Sequence, residues 1–165
     1  YEYRERKGES HERDFLTVGG MGHASQIALG VALQRPDRSV YCLDGDGALL
    51  MHLGALPITG VKKAGNFKHI VLNNGAHDSV GGQPTVGLTT DILGIARACS
   101  YQVVMQAQTS QELESCLQEV KRSKGPCLLE ILIRCGARKD LGRPATTPVE
   151  NKHAFMDFIQ GRANV

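Results

Sequence analysis

The segment from residue 39 to residue 74 restricts the fold of this 165-residue chain more than any other. Residues 39–43 and residues 67–72 are short apolar runs with β-branched and aromatic members, a composition typical of buried strands. The residues between them have a helical pattern, which Pro57 is expected to interrupt. The segment therefore predicts a β-α-β unit, whose strands are parallel and whose loops leave the sheet at one edge.

Glycines and polar residues follow both predicted strands. Gly45, Asp46 and Gly47 come after the first strand, and Asn73 and Asn74 come directly after the second. Ligands of open α/β sheets bind outside the carboxyl ends of the strands, and glycines let backbone N–H groups approach an anion there. A carboxylate, an amide oxygen and a backbone carbonyl form an oxygen-only set, which Mg²⁺ prefers and completes with phosphate oxygens and water. The spacing therefore predicts a metal-bridged diphosphate.

The glycine-flanked aspartate, the spacer of residues 48–72 and the asparagine pair together resemble the thiamin-diphosphate motif of the 2-oxo acid decarboxylases and their relatives. The resemblance implies that thiamin diphosphate is the cofactor. It also implies that Mg²⁺ is held by the side chains of Asp46 and Asn74 and by the backbone carbonyl of Ala76.

Two glycine-containing segments are expected to contact the cofactor. The start of the helix after the first strand should present backbone N–H groups to the diphosphate, from Gly45, Gly47 and Ala48. The resemblance assigns the other contacts to Gly19, Gly20, Met21 and Gly22. It implies that the Gly19 carbonyl accepts a hydrogen bond from the cofactor's 4′-amino group and that Met21 supports the bent shape of the cofactor.

The same segment leaves a second interpretation open. Residues 20–25 nearly match the G-x-G-x-x-G/A pattern of dinucleotide-binding folds, and Asp44 follows where an acid that binds ribose would lie. A nicotinamide- or flavin-dependent oxidoreductase is therefore an alternative. Two features count against it, because Ser25 takes the third glycine position and Asp44 runs directly into the glycine-flanked aspartate.

Strands and helices alternate along the rest of the chain. Further strands are predicted at residues 14–18, 101–105 and 127–133, and capping boxes at Thr109 and Thr147 predict the starts of two helices. This alternation predicts an α/β fold with a doubly wound parallel sheet. The family resemblance implies the same fold.

Two loops narrow the resemblance further. Residues 75–85 and residues 138–144 resemble the corresponding loops of the phosphonopyruvate decarboxylases and of their relatives, the sulfopyruvate decarboxylases. The resemblance implies decarboxylation of a small 2-oxo acid, with phosphonopyruvate giving phosphonoacetaldehyde, and sulfopyruvate as the alternative substrate. A phosphonate requires cationic partners, and the second loop supplies Arg138, Lys139 and Arg143 as candidates.

Proton transfer in this reaction needs a group that titrates near neutrality. His77 follows the predicted metal-binding asparagine and is the candidate acid, with Asp78 either orienting it or acting itself.

A second class of function stays open. The chain could be a subunit that holds the cofactor for a partner without supplying a catalytic side chain.

The chain is expected to be half of an active site. Residues 1–13 are charged and lack apolar periodicity, so we assign them to an N-terminal arm, and residues 14–165 to the thiamin-diphosphate domain. Nothing in the chain resembles the pyrimidine-binding domain, which in this family carries the glutamate that activates the cofactor. We therefore expect an oligomer completed by a separate subunit or by an upstream segment, which agrees with a first residue other than Met.

Composition excludes several classes of partner. The formal net charge is +2, from 19 basic and 17 acidic side chains, so nucleic acid is not an expected partner. No apolar run reaches the length of a membrane span, and the first residues do not form a signal peptide. The five cysteines are odd in number and lack a C-x-x-C spacing, which favours a reducing, cytoplasmic setting.

Overall fold

The predicted β-α-β unit is present in the computed structural model, which describes residues 2–161. The described strands are β1 Val40–Gly45, β2 Phe67–Asn73, β3 Ala76–His77, β4 Gln83–Pro84, β5 Val103–Ala107 and β6 Cys127–Leu132. The described α-helices are α1 Glu2–Lys7, α2 Ala24–Gln34, α3 Asp46–Met51, α4 Ala55–Lys62, α5 Ile92–Ala98, α6 Ser110–Arg122 and α7 Pro148–Gln160. A 3-10 turn, Asp78–Val80, separates β3 from β4.

The central sheet has four parallel strands in the order β1-β2-β6-β5. The central strand β2 is buried along almost its whole length, as expected of a parallel strand covered on both faces. The two-residue strands β3 and β4 form a separate antiparallel ribbon in the loop after β2. The carboxyl ends of all four central strands therefore lie at one edge, together with that loop.

Helices pack on both faces of this sheet, so the predicted doubly wound fold is confirmed. On one face, residues of α3, α4 and α5 form a buried cluster with Val71 and Leu128, and α2 packs on Cys42 and Phe67. On the other face, α6 packs on Leu129 through Val120 and its neighbours. Side chains alternate between the faces along each strand, which is why Leu128 and Leu129 belong to different clusters.

Both predicted capping boxes are confirmed. At the start of α6, the Thr109 hydroxyl accepts a hydrogen bond from the Glu112 N–H (3.2 Å), and the Glu112 carboxylate accepts one from the Thr109 N–H (3.0 Å). Thr147 and Glu150 make the same exchange at the start of α7, with Pro148 as the first helical residue. These local signals need no tertiary partner, which is why sequence alone locates them.

Two predictions about secondary structure were wrong. Residues 14–18 form no strand, because a side chain replaces the strand partner: Asn151 of α7 accepts from the Leu16 N–H (2.9 Å) and donates to the Asp14 carbonyl (2.6 Å). The helix after β1 is interrupted at residues 52–54 rather than at Pro57. Pro57 is the third residue of α4, where an N–H has no intrahelical acceptor to lose.

The chain divides into two compact units, which we describe separately. One spans Met21–Gly136 and holds the whole central sheet, and the other combines the described residues up to Gly20 with those from Ala137 onward. The assignment of residues 1–13 to an arm stays a prediction. Within the described part of the chain, no helix has the length and apolarity needed to cross a membrane. All five cysteines are free thiols.

Candidate functional site

Asp46 is the most deeply buried acid at the carboxyl edge of the sheet. β1 ends at Gly45 and α3 begins at Asp46, whose exposed fraction is 1%. Its Oδ2 accepts a hydrogen bond from the hydroxyl of Thr85, which is the one side-chain donor that the described residues offer it. An ionised carboxylate has about four acceptor positions, and burying it with few donors is costly. The chemistry of the position therefore favours a cation.

The loop of residues 74–87 folds back so that its last residues pack against Asp46. A Cβ on Gly87 would lie 2.4 Å from Asp46 Oδ2 and 2.8 Å from Asn73 Oδ1, so only glycine fits there. The Gly87 N–H donates to the Thr85 hydroxyl (3.1 Å), which in turn donates to Asp46. The end of the loop thus packs directly on the predicted metal ligand.

Asn73, the last residue of β2, connects this loop to the sheet. Its exposed fraction is 0%, and its Nδ2 donates to the Gly87 carbonyl (3.0 Å) and to Glu130 Oε1 (2.7 Å). Its Oδ1 accepts from the Gly75 N–H (3.1 Å). Asn73 therefore faces the interior and makes structural bonds, as expected if the next residue is the metal ligand.

Asn74 is half-buried and is oriented by its neighbours. Its Oδ1 accepts from the Ala76 N–H (3.1 Å), and its Nδ2 donates to Asp78 Oδ2 (2.8 Å). Asp78 also accepts from the Gly136 N–H (2.7 Å), and among the described residues no hydrogen bond joins it to His77, which was one of the two roles considered for it. Asp78 therefore orients Asn74 rather than His77.

His77 lies against the start of α3. A Cβ on Gly47 would lie 2.3 Å from His77 Cε1 and 2.4 Å from Nδ1, so the imidazole packs on the space that the glycine leaves. The loop after β2 and the helix after β1 meet at this point. The structure thus brings the candidate acid to the predicted diphosphate-binding backbone.

The second glycine segment also packs against α3. Gly22 has φ +84° and is buried, and a Cβ there would lie 2.4 Å from His52 Cδ2 and 2.9 Å from the Ala48 carbonyl oxygen. Met21, beside it, is half-buried. Met21 and Gly22 therefore lie near the helix that carries Gly47 and Ala48.

Five predicted site residues belong to the other unit: Gly19, Gly20, Arg138, Lys139 and Arg143. The positive φ of Gly19, +74°, is a conformation that side chains disfavour. Arg138 Nε lies 3.3 Å from Asp140 Oδ1, and both side chains are largely exposed. The contacts of these five residues with cofactor and substrate stay predictions.

Asp44, the residue that the dinucleotide interpretation requires, lies in the interior. Its Oδ2 is 3.3 Å from His69 Nε2, and His69 Nδ1 is 3.4 Å from the Tyr101 hydroxyl. Burial, with the Asp44 charge as a second cause, raises the pKa of Cys42 to about 12, and burial raises that of Tyr101 as well. The Asp44 carboxylate is thus paired with a buried side chain in the interior, which argues against the dinucleotide interpretation.

The sequence reasoning missed three residues that pack on or support the candidate site: Thr85, Gly87 and Glu130. Glu130 has an exposed fraction of 3% and borders a cavity of about 170 Å³, together with Asn73, Gln106 and Thr90. One signal for Glu130 was available, since it is the only charged residue in the apolar run 127–133. No comparable signal marks Thr85 or Gly87, whose roles depend on where the loop ends.

Comparison with known proteins identifies the family of the chain. Residues 3–131 match the family described as thiamine pyrophosphate enzyme, C-terminal TPP binding domain. The chain belongs to this family of thiamine pyrophosphate enzymes. The phosphonopyruvate decarboxylase of Streptomyces viridochromogenes is 40% identical to this TPP-binding domain over 151 residues, which are 92% of the chain and 38% of that relative.

A second relative and a solved structure of similar fold differ in how much of their length this TPP-binding domain covers. Sulfopyruvate decarboxylase subunit beta of Methanocaldococcus jannaschii is 32% identical over 155 residues, which are 92% of the chain and 80% of that subunit. The 2-oxoglutarate:ferredoxin oxidoreductase of Magnetococcus marinus matches 70% of the chain and 46% of its own, with TM-score 0.63 and 19% identity, and shows the fold alone. The chain thus spans less than two fifths of the phosphonopyruvate decarboxylase.

The residues of this TPP-binding domain fit the cofactor of the family. The donors at the carboxyl ends of β1 and β2 are carboxylate, amide and carbonyl oxygens, the set that Mg²⁺ prefers. A Cβ on Gly22 would overlap His52, and a Cβ on Gly47 would overlap His77. Glycine at both positions therefore lets neighbouring groups pack closely against the backbone at the start of α3. Asn74 Oδ1 accepts one hydrogen bond and, as an amide oxygen, retains a second lone pair for a cation.

Proposed function

We propose that the chain forms the diphosphate- and Mg²⁺-binding half of a thiamin-diphosphate-dependent 2-oxo acid decarboxylase. The observation that carries the proposal is the Asp46 carboxylate, which is 1% exposed at the carboxyl end of β1 and receives one side-chain hydrogen bond from the described residues. In the proposed site, Asp46, the Asn74 amide oxygen and the Ala76 carbonyl hold Mg²⁺. Asp78 holds the Asn74 amide through its Nδ2, which leaves the oxygen to the metal.

The backbone at the start of α3 binds the diphosphate in this proposal. Gly45, Gly47 and Ala48 supply N–H groups, and the positive end of the helix favours an anion. The segment 19–22 supports the rest of the cofactor, with Met21 as its apolar contact. When bound, thiamin diphosphate supplies the nucleophilic carbon and the electron sink for decarboxylation, so the chain's residues need only bind, orient and exchange a proton.

The proposed substrate is phosphonopyruvate, with sulfopyruvate as the alternative. Both are 2-oxo acids with a second anionic group, and the names of the relatives support both, since the chain is 40% identical to a phosphonopyruvate decarboxylase and 32% identical to a sulfopyruvate decarboxylase subunit. Arg138, Lys139 and Arg143 are proposed to bind the phosphonate, because guanidinium groups form paired, charge-assisted hydrogen bonds with such oxygens. The leaving carboxylate requires an environment without such cations.

His77 is the proposed proton donor of the reaction. Its imidazole packs on Gly47, so it lies next to the backbone that is proposed to bind the diphosphate. An imidazole can both donate and accept a proton near neutral pH. In this proposal, Asp78 orients the Asn74 side chain and does not take part in proton transfer.

The proposed enzyme requires a pyrimidine-binding partner, either a second subunit or another segment of a longer polypeptide. Support comes from the coverage of the relatives: the chain matches 80% of a protein named as a beta subunit but only 38% of the phosphonopyruvate decarboxylase. We further propose that the complete protein is an oligomer that acts in the cytoplasm.

The test uses the complete protein with its partner, thiamin diphosphate and Mg²⁺. We expect CO₂ release from phosphonopyruvate with a higher kcat/KM than from sulfopyruvate, and only slow turnover of pyruvate. Arg138→Ala and Arg143→Ala should lower kcat/KM for phosphonopyruvate far more than for pyruvate, and Lys121→Ala, an exposed cation on α6, is the matched control. Failure of the wild-type protein to bind thiamin diphosphate would overturn the proposal, and a preference for sulfopyruvate would select the alternative.

A further inference from the structure

We infer that Glu130 is a positioning residue: acting through Asn73, it fixes the loop of residues 74–87 in the arrangement that binds the cofactor. The contacts are independent of any function, whereas the effect on the cofactor rests on the proposed function. Within the described residues, the hydrogen bonds of Glu130 go to Asn73 and Gln106, so we assign it no direct part in the chemistry.

The argument begins with Asn73, whose amide joins the two ends of the loop. Its Oδ1 accepts from the Gly75 N–H at the start (3.1 Å), and its Nδ2 donates to the Gly87 carbonyl at the end (3.0 Å). The first end carries Asn74, Ala76 and His77, and the second packs on Asp46. The orientation of one buried amide therefore determines where both ends lie.

Glu130 fixes that orientation. Its Oε1 accepts the second Nδ2 hydrogen of Asn73 (2.7 Å), and its Oε2 accepts from Gln106 Nε2 (2.7 Å). Gln106 is the register partner of Glu130 on β5, so the carboxylate spans three strands at the carboxyl edge. An Asn73 amide turned by 180° would place its oxygen against the Glu130 carboxylate and its NH₂ against the Gly75 N–H. Both contacts are repulsive, so one amide orientation is selected.

The orientation of the Asn73 amide affects the predicted metal ligand Asp46 through the end of the loop. Gly87 N–H donates to Thr85, Thr85 donates to Asp46, and Gly87 lies against both Asp46 and Asn73. Loss of the bond from Asn73 to Glu130 therefore loosens the contact on Asp46 without removing any residue of the site. A buried amide left without its acceptor also seeks a new partner, which moves the loop ends.

The first experiment measures hydrogen–deuterium exchange in the complete protein without cofactor. Glu130→Leu removes the acceptor, Glu130→Gln keeps one amide oxygen for Asn73, and Leu128→Ala, on the same face of β6, is the control for general loss of core packing. We expect the amides of Gly75 and Gly87 to exchange about tenfold faster or more in Glu130→Leu, and at nearly wild-type rates in the other two variants. Wild-type exchange of both amides in Glu130→Leu would overturn the inference.

The second experiment measures the affinity for thiamin diphosphate with Mg²⁺ by titration calorimetry. Glu130→Leu should weaken binding about tenfold or more, whereas Glu130→Gln and Leu128→Ala should stay within about threefold of the wild type. Faster loop exchange with unchanged affinity would overturn the link to the cofactor. If the wild-type protein binds no cofactor, the proposed function fails, and the exchange data still decide whether Glu130 holds the loop.

A reciprocal pair of substitutions keeps the inference testable if Glu130→Leu does not fold. Asn73→Asp places a carboxylate against Glu130 and removes the donor to Gly87, so we expect fast exchange at Gly75 and weak cofactor binding. Adding Glu130→Gln supplies an NH₂ group to the new carboxylate. The double variant should therefore recover part of the slow exchange at Gly75 and part of the affinity for the cofactor. Absence of any rescue in the double variant would contradict a direct bond between these two residues as the cause.

Discussion

Gly47→Ala is the substitution whose effect the structure predicts most directly. The new Cβ would lie 2.3 Å from His77 Cε1 and 2.4 Å from His77 Nδ1. Carbon atoms in van der Waals contact are about 3.5–4.0 Å apart, so the imidazole has to retreat by more than about 1 Å. Gly30→Ala in α2 is the matched control, because a Cβ there meets no atom within 4 Å.

The expected change in the free energy of unfolding is the cost of overpacking minus the gain from replacing a helical glycine. Overpacking of this kind costs about 1–3 kcal/mol. Replacing glycine by alanine inside a helix returns about 0.5–1 kcal/mol. Gly47→Ala should therefore lower the free energy of unfolding by up to about 2.5 kcal/mol, or Tm by up to about 10 °C for a chain of this size. Gly30→Ala should have the opposite sign, with a gain of about 0.5–1 kcal/mol.

The assay is chemical denaturation of the complete protein, with His77→Ala and the double variant completing a thermodynamic cycle. If the imidazole is the obstacle, its removal relieves the overlap, and the coupling free energy should be about 1 kcal/mol or more. Equal stabilisation by Gly47→Ala and Gly30→Ala would refute the reasoning. So would additive effects of Gly47→Ala and His77→Ala.

Three further predictions concern the proposed metal ligand, the cysteines and a helix cap. Asp46→Asn keeps the shape but removes the charge, so it should abolish Mg²⁺-dependent binding of thiamin diphosphate in calorimetry with little change in Tm, and wild-type affinity would exclude Asp46 as a ligand. Burial first, and the Asp44 charge second, raise the pKa of Cys42 from 9.0 to about 12, so iodoacetamide at about pH 8 should label the exposed Cys135 and leave Cys42 unlabelled in mass spectra. Equal labelling would contradict this. Hydrogen bonds from the Gln108 and Thr109 N–H groups lower the pKa of Glu112, so its stabilisation is complete above the unfolded pKa and is lost as pH falls through the folded pKa. Wild type and Glu112→Gln should therefore differ in stability at neutral pH and converge in acid.

The sequence predicted those parts of the fold that depend on neighbouring residues. The apolar runs of β1 and β2, and the capping boxes of α6 and α7, are local patterns, and the structure confirms all four. The strand expected at residues 14–18 failed because its partner is the side chain of Asn151, 135 residues from Leu16 in the chain. No pattern within the segment itself reports a partner so distant.

The candidate site shows the same division. Asp46 and Asn74 were predicted as ligands because a glycine-flanked acid and an asparagine pair follow two strands, and the structure pairs those strands side by side. The bond between Asn73 and Glu130 joins residues 57 positions apart, and it depends on β6 pairing with β2 rather than with β1. A lone Glu in an apolar strand indicates that a partner exists but does not identify it. Asp78 was predicted to orient His77 or to act itself, whereas in the structure its carboxylate accepts a hydrogen bond from Asn74.

The contact between Thr85 and Asp46 has a consequence for ion selectivity. Thr85 and Gly87 both lie against Oδ2 of the carboxylate, so a cation at the proposed site would be reached through Oδ1, in one-oxygen coordination. Ca²⁺ accommodates two-oxygen coordination by carboxylates and up to eight ligands, whereas Mg²⁺ requires a compact octahedron. The hydroxyl of Thr85 should therefore discriminate against the larger ion. Thr85→Val should narrow the difference between Mg²⁺ and Ca²⁺ in supporting cofactor binding, and an unchanged ratio would assign the selectivity to other ligands.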